Sequence, residues 1–330
     1  MSLSNQPGEL AGTSDALARS VLIKQLALEA GFDQCGIATA GAIPRGEYLE
    51  NWLASDRAGG MSYLRRHLAS RIDVRAWLPW ARSVIVVALN YHQAAPDRPN
   101  DSERGRVAMY AWGEDYHDVL KERLNDLVTV MRARWLEPFE AKVCADTSAI
   151  TERELAAMAG VGWIGKNTLV LNKEMGSYFF LGEIVVELEL APDPPMTEHC
   201  GSCTRCLDAC PTQAFPAPFE MDASRCISYL TIEHRGEVAP ALTEKMDDWV
   251  FGCDVCQEVC PYNREVNHPV DARLRVTSED SAWPKLDEID VWVGKKYRDH
   301  VSERAVERAT KATWQRNARI ARSNGKKHIS

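Results

Sequence analysis

The stretch that decides the architecture is Cys200-Gly-Ser-Cys203-Thr-Arg-Cys206-Leu-Asp-Ala-Cys210-Pro211. In this spacing, which is that of bacterial ferredoxins, three thiolates hold one iron–sulfur cluster and the cysteine before proline reaches a neighbouring cluster. A second run, Cys253-Asp-Val-Cys256-Gln-Glu-Val-Cys260-Pro261, repeats the pattern with Val250 where its first cysteine would stand. The two runs together predict a module that holds two 4Fe-4S clusters and transfers electrons one at a time.

Cys226 lies between the two runs and is the obvious replacement for the missing ligand. If the proline-linked cysteines cross over, each cluster receives four thiolates. The first predicted set is Cys200, Cys203, Cys206 and Cys260, and the second is Cys210, Cys226, Cys253 and Cys256. A pair of zinc sites is the alternative, since C-x2-C pairs also hold zinc, but the tandem C-x2-C-x3-C-P cores favour iron. The remaining two cysteines, Cys35 and Cys144, are predicted to be small buried apolar residues.

The composition is that of a globular protein with about two structural units, since the chain has 330 residues and is 45% apolar. Its first residues lack the basic and apolar order of a signal peptide, and its longest apolar run, Val84–Leu89, is too short to cross a bilayer. We therefore expect a cytoplasmic protein that is not bound to a membrane. In that reducing compartment, clustered cysteines are metal ligands rather than disulfides.

The charge is distributed unevenly along the chain. A net charge of −8 argues against a protein that coats nucleic acid indiscriminately. Residues 291–330, however, carry eleven Lys and Arg against three Asp and Glu, which gives this tail a charge of +8. Such a tail could face a polyanion, and a solvated amphipathic helix with a basic end explains the same charges equally well.

Hydrophobic periodicity predicts mixed helices and strands, an α+β fold class, in the part of the chain that precedes the cysteines. The predicted helices are 14–30, 116–136 and a helix that opens with a Thr151-x-x-Glu154 capping box and ends at Met158. The predicted strands are 84–89, 142–145 and 178–190. A proline-rich linker, 191–196, then leads to the cysteine module, and helical patterns return between 301 and 321. We predict three domains, 1–190, 191–275 and 276–330.

One glycine-rich segment, Gly160-Val-Gly162-Trp-Ile-Gly165-Lys166-Asn167, matches G-x-G-x-x-G and most of a P-loop. Its context rejects both motifs, because it follows a helix and has Asn167 where a P-loop needs Ser or Thr. We interpret it as a helix-terminating loop whose backbone could approach a flat cofactor closely, or as a plain tight turn.

A second motif is also incomplete. Asp115-Tyr-His117 begins a cobalamin-ligand motif, but Leu120 replaces the required glycine, so His117 is not assigned as a metal ligand.

Several of these features together resemble the epoxyqueuosine reductase family. The resemblance rests on Asp146-Thr147, the glycine-rich segment 160–169 and the two crossed cysteine runs. It extends over nearly the whole chain, from Gly31-Phe32-Asp33 to Trp314-Gln-Arg-Asn-Ala318, and includes 78–84, 115–117 and 226–233.

The resemblance implies a cobalamin-dependent enzyme that acts on epoxyqueuosine at the wobble position of tRNA. In this last step of queuosine synthesis, two electrons and two protons convert an epoxide to an alkene and water. The implied architecture is an N-terminal α/β cobalamin-binding domain, a ferredoxin-like two-cluster module and a short C-terminal helical, HEAT-like segment that contacts tRNA. The implied partners are tRNA carrying epoxyqueuosine and an unidentified low-potential electron donor, and we expect a monomer.

Asp146 is the catalytic residue that the resemblance implies, as the proton donor beside cobalamin. The residues themselves offer an independent argument, since an aspartate at a strand end lies where α/β sites gather. We expect burial there to raise its pKa and to keep the acid protonated near neutral pH. The alternative from the residues alone is that Asp146 only caps the turn before Thr151.

Cobalamin contacts leave little mark on a sequence, because backbone groups and apolar walls hold this cofactor. The predicted contacts are the loop residues Trp163, Ile164, Gly165, Lys166 and Asn167, with Tyr110 and Ser228 in addition. The absence of a histidine-ligand motif predicts cobalamin with its own base displaced and with no protein histidine in its place.

Two departures from the family pattern affect the predicted tRNA grip. Family members often continue into a longer helical-repeat tail, and Trp112 stands in a segment where they commonly carry basic residues.

Two other functions are alternatives to epoxyqueuosine reduction. A reductive dehalogenase also couples cobalamin to two clusters, and a ferredoxin-type carrier would pass electrons without catalysing a reaction of its own.

Overall fold

We describe the fold from a computed structural model, which describes residues 8–100, 103–135, 138–266 and 270–327, apart from the side chains of 8–14 and 326–327. The helices are α1 Gly8–Glu29, α2 Gly46–Ala54, α3 Leu68–Ile72, α4 Tyr116–Arg134, α5 Glu152–Met158, α6 Arg205–Asp208, α7 Ile227–Ile232, α8 Pro240–Thr243, α9 Val255–Glu258, α10 Glu279–Ala282, α11 Leu286–Asp290, α12 Gly294–Val301 and α13 Lys311–Lys327. The strands are β1 Gln34–Thr39, β2 Ser83–Asn90, β3 Arg106–Val107, β4 Ala141–Cys144, β5 Trp163–Ile164, β6 Val170–Leu171, β7 Phe179–Val186 and β8 Trp249–Phe251.

An antiparallel four-stranded sheet, in the order β1-β2-β7-β4, organises the N-terminal part. Every residue of the central strand β2 is buried, as the continuous apolar run predicts. Ile85 and its partner Ile184 face the helices α1 and α4, whereas Val84 and Val185 face α5 on the other side. The sheet is therefore a middle layer between helices, and the ends of β4 and α5 lie close together.

The cysteine module has little regular structure of its own. The short helices α6 and α9, each of which contains one cysteine of a run, pack against each other. Strand β8 pairs with β3 in a parallel two-stranded ladder and thereby ties the module to the chain between β2 and α4. The proline-rich stretch 191–196 has no helix or strand, as its composition predicts.

The C-terminal helix α13 docks on the cysteine module. Trp314 is buried and stacks on Phe251 of β8, with 5.5 Å between the ring centroids. The neighbouring Asn317 side chain donates hydrogen bonds to the backbone carbonyls of Thr231 (2.9 Å) and Val250 (2.8 Å). The Trp-Gln-Arg-Asn-Ala segment of the family resemblance therefore joins the tail to α7 and β8.

Two local predictions differ from the structure. The predicted strand 178–190 is shorter, because pairing with β2 ends at Val186. The predicted capping box is wrong, because the Thr151 hydroxyl donates to the Arg71 carbonyl (2.8 Å) instead of capping α5. The predicted helix end is confirmed: α5 stops at Met158, and Gly160 follows with a φ of +68°. Across the ranges that the structure describes, we find no helix both long and apolar enough to cross a membrane.

Candidate active site and cysteine centres

Four cysteines from the two distant runs line a single cavity of about 340 Å³. These residues, Cys200, Cys203, Cys206 and Cys260, are the first set predicted from the sequence. Cys260 is buried against Trp163 and comes from the second run, while the other three come from the first. The chain therefore crosses over at this cavity, as the ferredoxin pattern predicts.

The second set of cysteines gathers beside the first. Burial raises the pKa of the Cys256 thiol well above its usual value, and Cys226, Cys206 and Cys210 lie close enough to raise it further. The pKa of Cys253 is likewise raised by burial and by the nearby Cys226 and Cys256. Cys226 thus lies among the second-run cysteines although it is 27 positions from Cys253. All ten cysteines of the chain are free thiols in the structure.

The glycine-rich loop Trp163–Asn167 lies against the first cysteine cavity. Lys166 Nζ donates hydrogen bonds to the backbone carbonyls of Gly201 (2.6 Å) and Cys203 (3.1 Å), and thereby fixes the cysteine loop. Trp163 Nε1 and Asn167 Nδ2 are buried donors for which no acceptor oxygen is found among the described residues. Buried N–H groups beside four thiols suit a cluster, whose sulfur atoms accept such hydrogen bonds.

The glycines of this loop permit close packing within the chain. A Cβ at Gly162 would lie 2.3 Å from the Leu171 carbonyl oxygen, and one at Gly165 would lie 2.3 Å from the Leu171 side chain. Strands β5 and β6 therefore need glycine where they meet, which favours the tight-turn interpretation at these two positions. Contact of this loop with cobalamin stays a prediction.

Asp146 lies directly after β4, in a loop that ends at α5. Its backbone has a φ of +54°, an uncommon conformation that aspartate tolerates better than most residues. The backbone N–H of Asp146 donates a hydrogen bond to the Glu152 carboxylate, at the first turn of α5. Its side chain is 55% exposed and accepts a hydrogen bond from the Tyr116 hydroxyl. The carboxylate is therefore held in place while one side of it remains open.

His117 connects two carboxylates at the start of α4. Its Nε2 lies 2.9 Å from Asp146 Oδ2, and its Nδ1 lies 2.6 Å from Asp115 Oδ1. Asp115 is also the N-cap of α4 and accepts the backbone N–H of His117, so the capping residue fixes the ring. Because both ring nitrogens are engaged, His117 has no nitrogen left to coordinate a metal.

The direction predicted for the Asp146 pKa is wrong. Partial burial raises this pKa, but the hydrogen bond and positive charge of His117 and the hydrogen bond from Tyr116 outweigh it and lower the pKa below its usual value. Burial lowers the pKa of His117, but the bonds to Asp115 and Asp146 outweigh that and raise it to about 9. At neutral pH the exchangeable proton therefore resides on the His117 side of the pair.

Tyr110 connects the Asp146 region with the second cysteine set. Burial raises its pKa, as do the nearby charges of Asp146 and of Asp254, which lies between Cys253 and Cys256. Its ring packs edge-on against Tyr116, with 6.1 Å between the centroids. Ser228 is in the first turn of α7, where its backbone N–H donates to the Cys226 sulfur. The structure thus brings Tyr110 and Ser228 to the second cysteine set, and the loop Trp163–Asn167 to the first.

The contacts of three residues of this site, Asp115, Tyr116 and Glu152, were not predicted from the sequence. Asp115-Tyr-His117 begins like a metal-ligand motif, but aspartate just before an amphipathic helix is also a strong N-cap signal. That signal predicts an ordered histidine in the first turn of α4. Nothing in the local pattern places this histidine beside Asp146, which is 29 positions away.

Comparisons with known proteins agree with this geometry. Residues 199–263 match a family model described as a 4Fe-4S double cluster binding domain, and residues 71–147 match one described as epoxyqueuosine reductase QueG, DUF1730. The epoxyqueuosine reductase of Cyclobacterium marinum is 41% identical over 271 residues, which cover 80% of this chain and 86% of that protein.

Two solved structures are also similar over most of their length. A crystal structure of epoxyqueuosine reductase with an epoxyqueuosine-modified tRNA-Tyr stem loop has a TM-score of 0.85 and 30% identity, and the match covers 93% of this chain and 81% of that one. The Bacillus subtilis epoxyqueuosine reductase, solved with its aspartate catalytic loop swung out of the active site, has a TM-score of 0.84, with the same identity and coverage. The chain therefore belongs to the epoxyqueuosine reductase family.

Proposed function

We propose that this chain reduces epoxyqueuosine in tRNA to queuosine. The reaction consumes two electrons and two protons: both epoxide C–O bonds break, an alkene forms between the two carbons, and the oxygen leaves as water. Family membership supports the reaction, since relatives at about 40% identity are epoxyqueuosine reductases. The observation that carries the proposal is the His117–Asp146 pair, a proton-holding group with an open side, which Tyr110 connects to the second set of cysteines.

We propose Cys200, Cys203, Cys206 and Cys260 as ligands of one 4Fe-4S cluster, and Cys210, Cys226, Cys253 and Cys256 as ligands of the other. The shared cavity of the first four and the mutual proximity of the others support this division. The closeness of Cys206 to Cys256 supports electron transfer between the clusters. An unidentified low-potential donor would reduce them, and we expect the protein to act as a cytoplasmic monomer.

We propose cobalamin as the second cofactor. The residues around Asp146 suit it, because an open carboxylate lies next to the ring of Tyr116, and Tyr110 lies between that carboxylate and the second cysteine set. Tyr110 and Ser228 would hold the cofactor, with the loop Trp163–Asn167 as a further contact. When bound, cobalamin supplies a cobalt centre that can pass electrons from the clusters to the substrate. His117 would not coordinate the cobalt, because both of its ring nitrogens are engaged by carboxylates.

We propose that Asp146 donates a proton to the departing epoxide oxygen and that His117 supplies this proton. A carboxylate with a lowered pKa is a poor acid alone, but the 2.9 Å contact lets the His117 proton move to Asp146 as charge develops on the oxygen. The loop of a solved relative swings out of its active site. We propose that the Asp146 loop of this chain has a comparable outward position.

The tRNA substrate would lie against exposed basic residues of the tail. Lys296, Arg298, Lys311 and Arg319 are exposed, whereas Arg316 is buried and bonds the carbonyls of Leu230, His234 and Gly236. Only part of the +8 charge of the tail is therefore available to phosphates, and we propose the exposed group as the contact.

A direct assay tests the proposed function. We expect anaerobically purified protein, reduced and supplied with cobalamin, to convert epoxyqueuosine in tRNA to queuosine, as measured by mass spectrometry of the digested nucleosides. The same protein without cobalamin should give no queuosine, because the clusters alone provide no reactive centre for the epoxide. Equal conversion without cobalamin would contradict the cofactor proposal, and no conversion by fully loaded protein would contradict the function.

Replacing His117 tests the proton supply. We expect wild-type turnover to fall as the pH rises past about 9, because His117 then loses the proton that it passes to Asp146. The His117→Gln variant should lose this alkaline limb and should be slower at neutral pH by roughly 10²-fold or more. Single-turnover rates across the pH range provide the measurement. A variant that kept the wild-type limb would show that another group titrates there.

A further inference from the structure

A second carboxyl group lies buried behind the Asp146 loop. Glu183 is in the middle of β7, opposite Cys144 of β4, and is 0% exposed. Within the described part of the chain, no N–H or hydroxyl group donates a hydrogen bond to either of its carboxyl oxygens. A buried, unpaired carboxylate is strongly destabilising, so a glutamate in a sheet face otherwise lined by Val84, Val86 and Val185 must have a polar partner.

The polar group that faces Glu183 is the carboxyl of Glu152, at the start of α5. Glu183 is fully buried and Glu152 is half-buried, so two carboxylates in contact here do not both ionise, and the pair holds at least one proton at neutral pH. Burial and the facing Glu152 raise the pKa of Glu183 well above its usual value, and burial and the charge of Asp146 raise that of Glu152 to about 7. The proton therefore lies mainly on Glu183, which donates it to the Glu152 carboxylate.

The Glu152 carboxylate has a second contact, the backbone N–H of Asp146. This bond spans the base of the Asp146 loop and fixes a residue whose left-handed backbone is unfavourable for an L-amino acid. The other end of the loop is attached independently to Arg71: Arg71 Nη1 donates a hydrogen bond to the Ile150 carbonyl, and the Arg71 backbone carbonyl accepts one from the Thr151 hydroxyl. Glu152 is thus the carboxylate that holds the Asp146 end.

We propose that Glu183 is a positioning residue: its buried carboxyl group orients Glu152, and Glu152 latches the Asp146 loop in the inward position that the reaction requires. This inference rests on the proposed role of Asp146 as proton donor. The latch consists of two hydrogen bonds in series, from Glu183 to Glu152 and from the Asp146 amide to Glu152. Release of either bond favours the outward position of the loop.

Other titratable groups face the pair and are not expected to act as the latch. They are Cys144 on β4, Tyr116 on α4, Arg71 on α3, Arg153 on α5 and Asp146 itself. Burial raises the pKa of Cys144 to about 12 and that of Tyr116 further, so both stay neutral. Arg153 donates a hydrogen bond to the Thr168 carbonyl (2.6 Å).

Amide hydrogen exchange of peptides covering 145–151, in the full-length protein with its clusters intact and without substrate, tests the latch. Glu152→Ala should exchange roughly ten- to a hundred-fold faster than wild type, because a hydrogen bond to a charged group is lost. Glu183→Gln should resemble wild type, since its amide also donates to Glu152. Glu183→Leu should exchange roughly five-fold faster or more, because Glu152 loses its donor and its charge.

Comparing the Glu183→Gln variant with the Glu183→Leu variant shows whether Glu183 positions Glu152 or only fills space in the core. If Glu183 only filled space, residues 145–151 of the Glu183→Leu variant would exchange their amide hydrogens at the wild-type rate. The melting temperature of that variant would rise, since the substitution removes a buried polar group. Wild-type exchange in Glu183→Leu would therefore overturn the proposal. Glu154→Gln is the matched control, because Glu154 is a buried carboxylate of α5 that contacts Arg45 instead of the Asp146 loop, and its exchange over 145–151 should not change.

The pH dependence provides a second readout in case one variant folds poorly. The ratio of wild-type to Glu152→Gln protection should rise as the pH increases through about 7, because Glu152 becomes charged while glutamine does not. A ratio that is constant over this range would contradict the latch. These exchange measurements do not depend on turnover. A negative result for the latch can therefore be distinguished from a negative result for Asp146 as proton donor, which the turnover of Asp146→Asn tests.

Discussion

The Asp146→Asn variant should reduce epoxyqueuosine roughly 10²- to 10⁴-fold more slowly than wild type while it keeps both iron–sulfur clusters. Asparagine fits the same space and retains the backbone N–H that Glu152 accepts, so the loop should stay in place. What it cannot do is receive the His117 proton and deliver it to the epoxide oxygen. Single-turnover rates, with iron content and visible absorption measured on the same samples, separate this chemical loss from loss of cofactor.

Two further observations make this test specific. Without the Asp146 carboxylate, His117 keeps only Asp115 as an acidic partner, so its pKa should fall below about 9, which an NMR titration of the ring would detect. The matched control is Asp118→Asn, which removes an exposed carboxylate from the first turn of the same helix, next to His117. Full activity in Asp146→Asn, with the control also active, would show that the proton comes from elsewhere.

The Asp146 site illustrates where local sequence information ends. Position at a strand end makes Asp146 a candidate, because strand ends collect functional residues in such folds. The sign of its pKa shift could not be predicted, because it depends on His117 and Tyr116, which the tertiary fold brings from the start of α4. Burial alone would have raised this pKa. Two hydrogen bonds from residues about 30 positions away reverse the direction.

The cysteine module was the most predictable part of the fold, because metal ligation demands fixed spacings that survive in the sequence. The family match over 199–263 falls on the two runs from which the module was predicted. The central strand β2 was predictable for a similar reason, since a strand covered on both faces must be apolar throughout.

Glycines and basic residues were harder to interpret, because each residue type can either stabilise the fold or contact a ligand. Gly162 and Gly165 meet Leu171 of the neighbouring strand, so their pattern reports packing within the chain. Arg316 contributes to the positive charge of the tail, yet it is buried and bonds three backbone carbonyls of the cysteine module. The number of glycines or basic residues in a segment does not show which partners these residues contact.

Cys226 makes the sharpest test of the crossed ligand pattern, because no spacing rule within either run includes it. We expect the wild-type protein to contain about eight irons and the Cys226→Ala variant about four. The second cluster should be lost, since a 4Fe-4S cluster with three thiolates is easily degraded, and epoxyqueuosine reduction should stop. Iron analysis and electron paramagnetic resonance of the reduced protein provide the measurements. Cys35→Ala is the matched control, because Cys35 packs against the apolar core between the sheet and the helices α1 and α4. This variant should keep about eight irons.

The crossing itself can be tested with three further variants. If Cys260 belongs with the first run, the cluster that survives in Cys260→Ala should have the same resonance spectrum as the one that survives in Cys200→Ala. The Cys256→Ala variant should instead retain the other cluster, because Cys256 lies with Cys226 and Cys210. If Cys260→Ala and Cys256→Ala gave the same spectrum, each run would hold its own cluster. The cavity shared by Cys260 and the first run would then need another explanation.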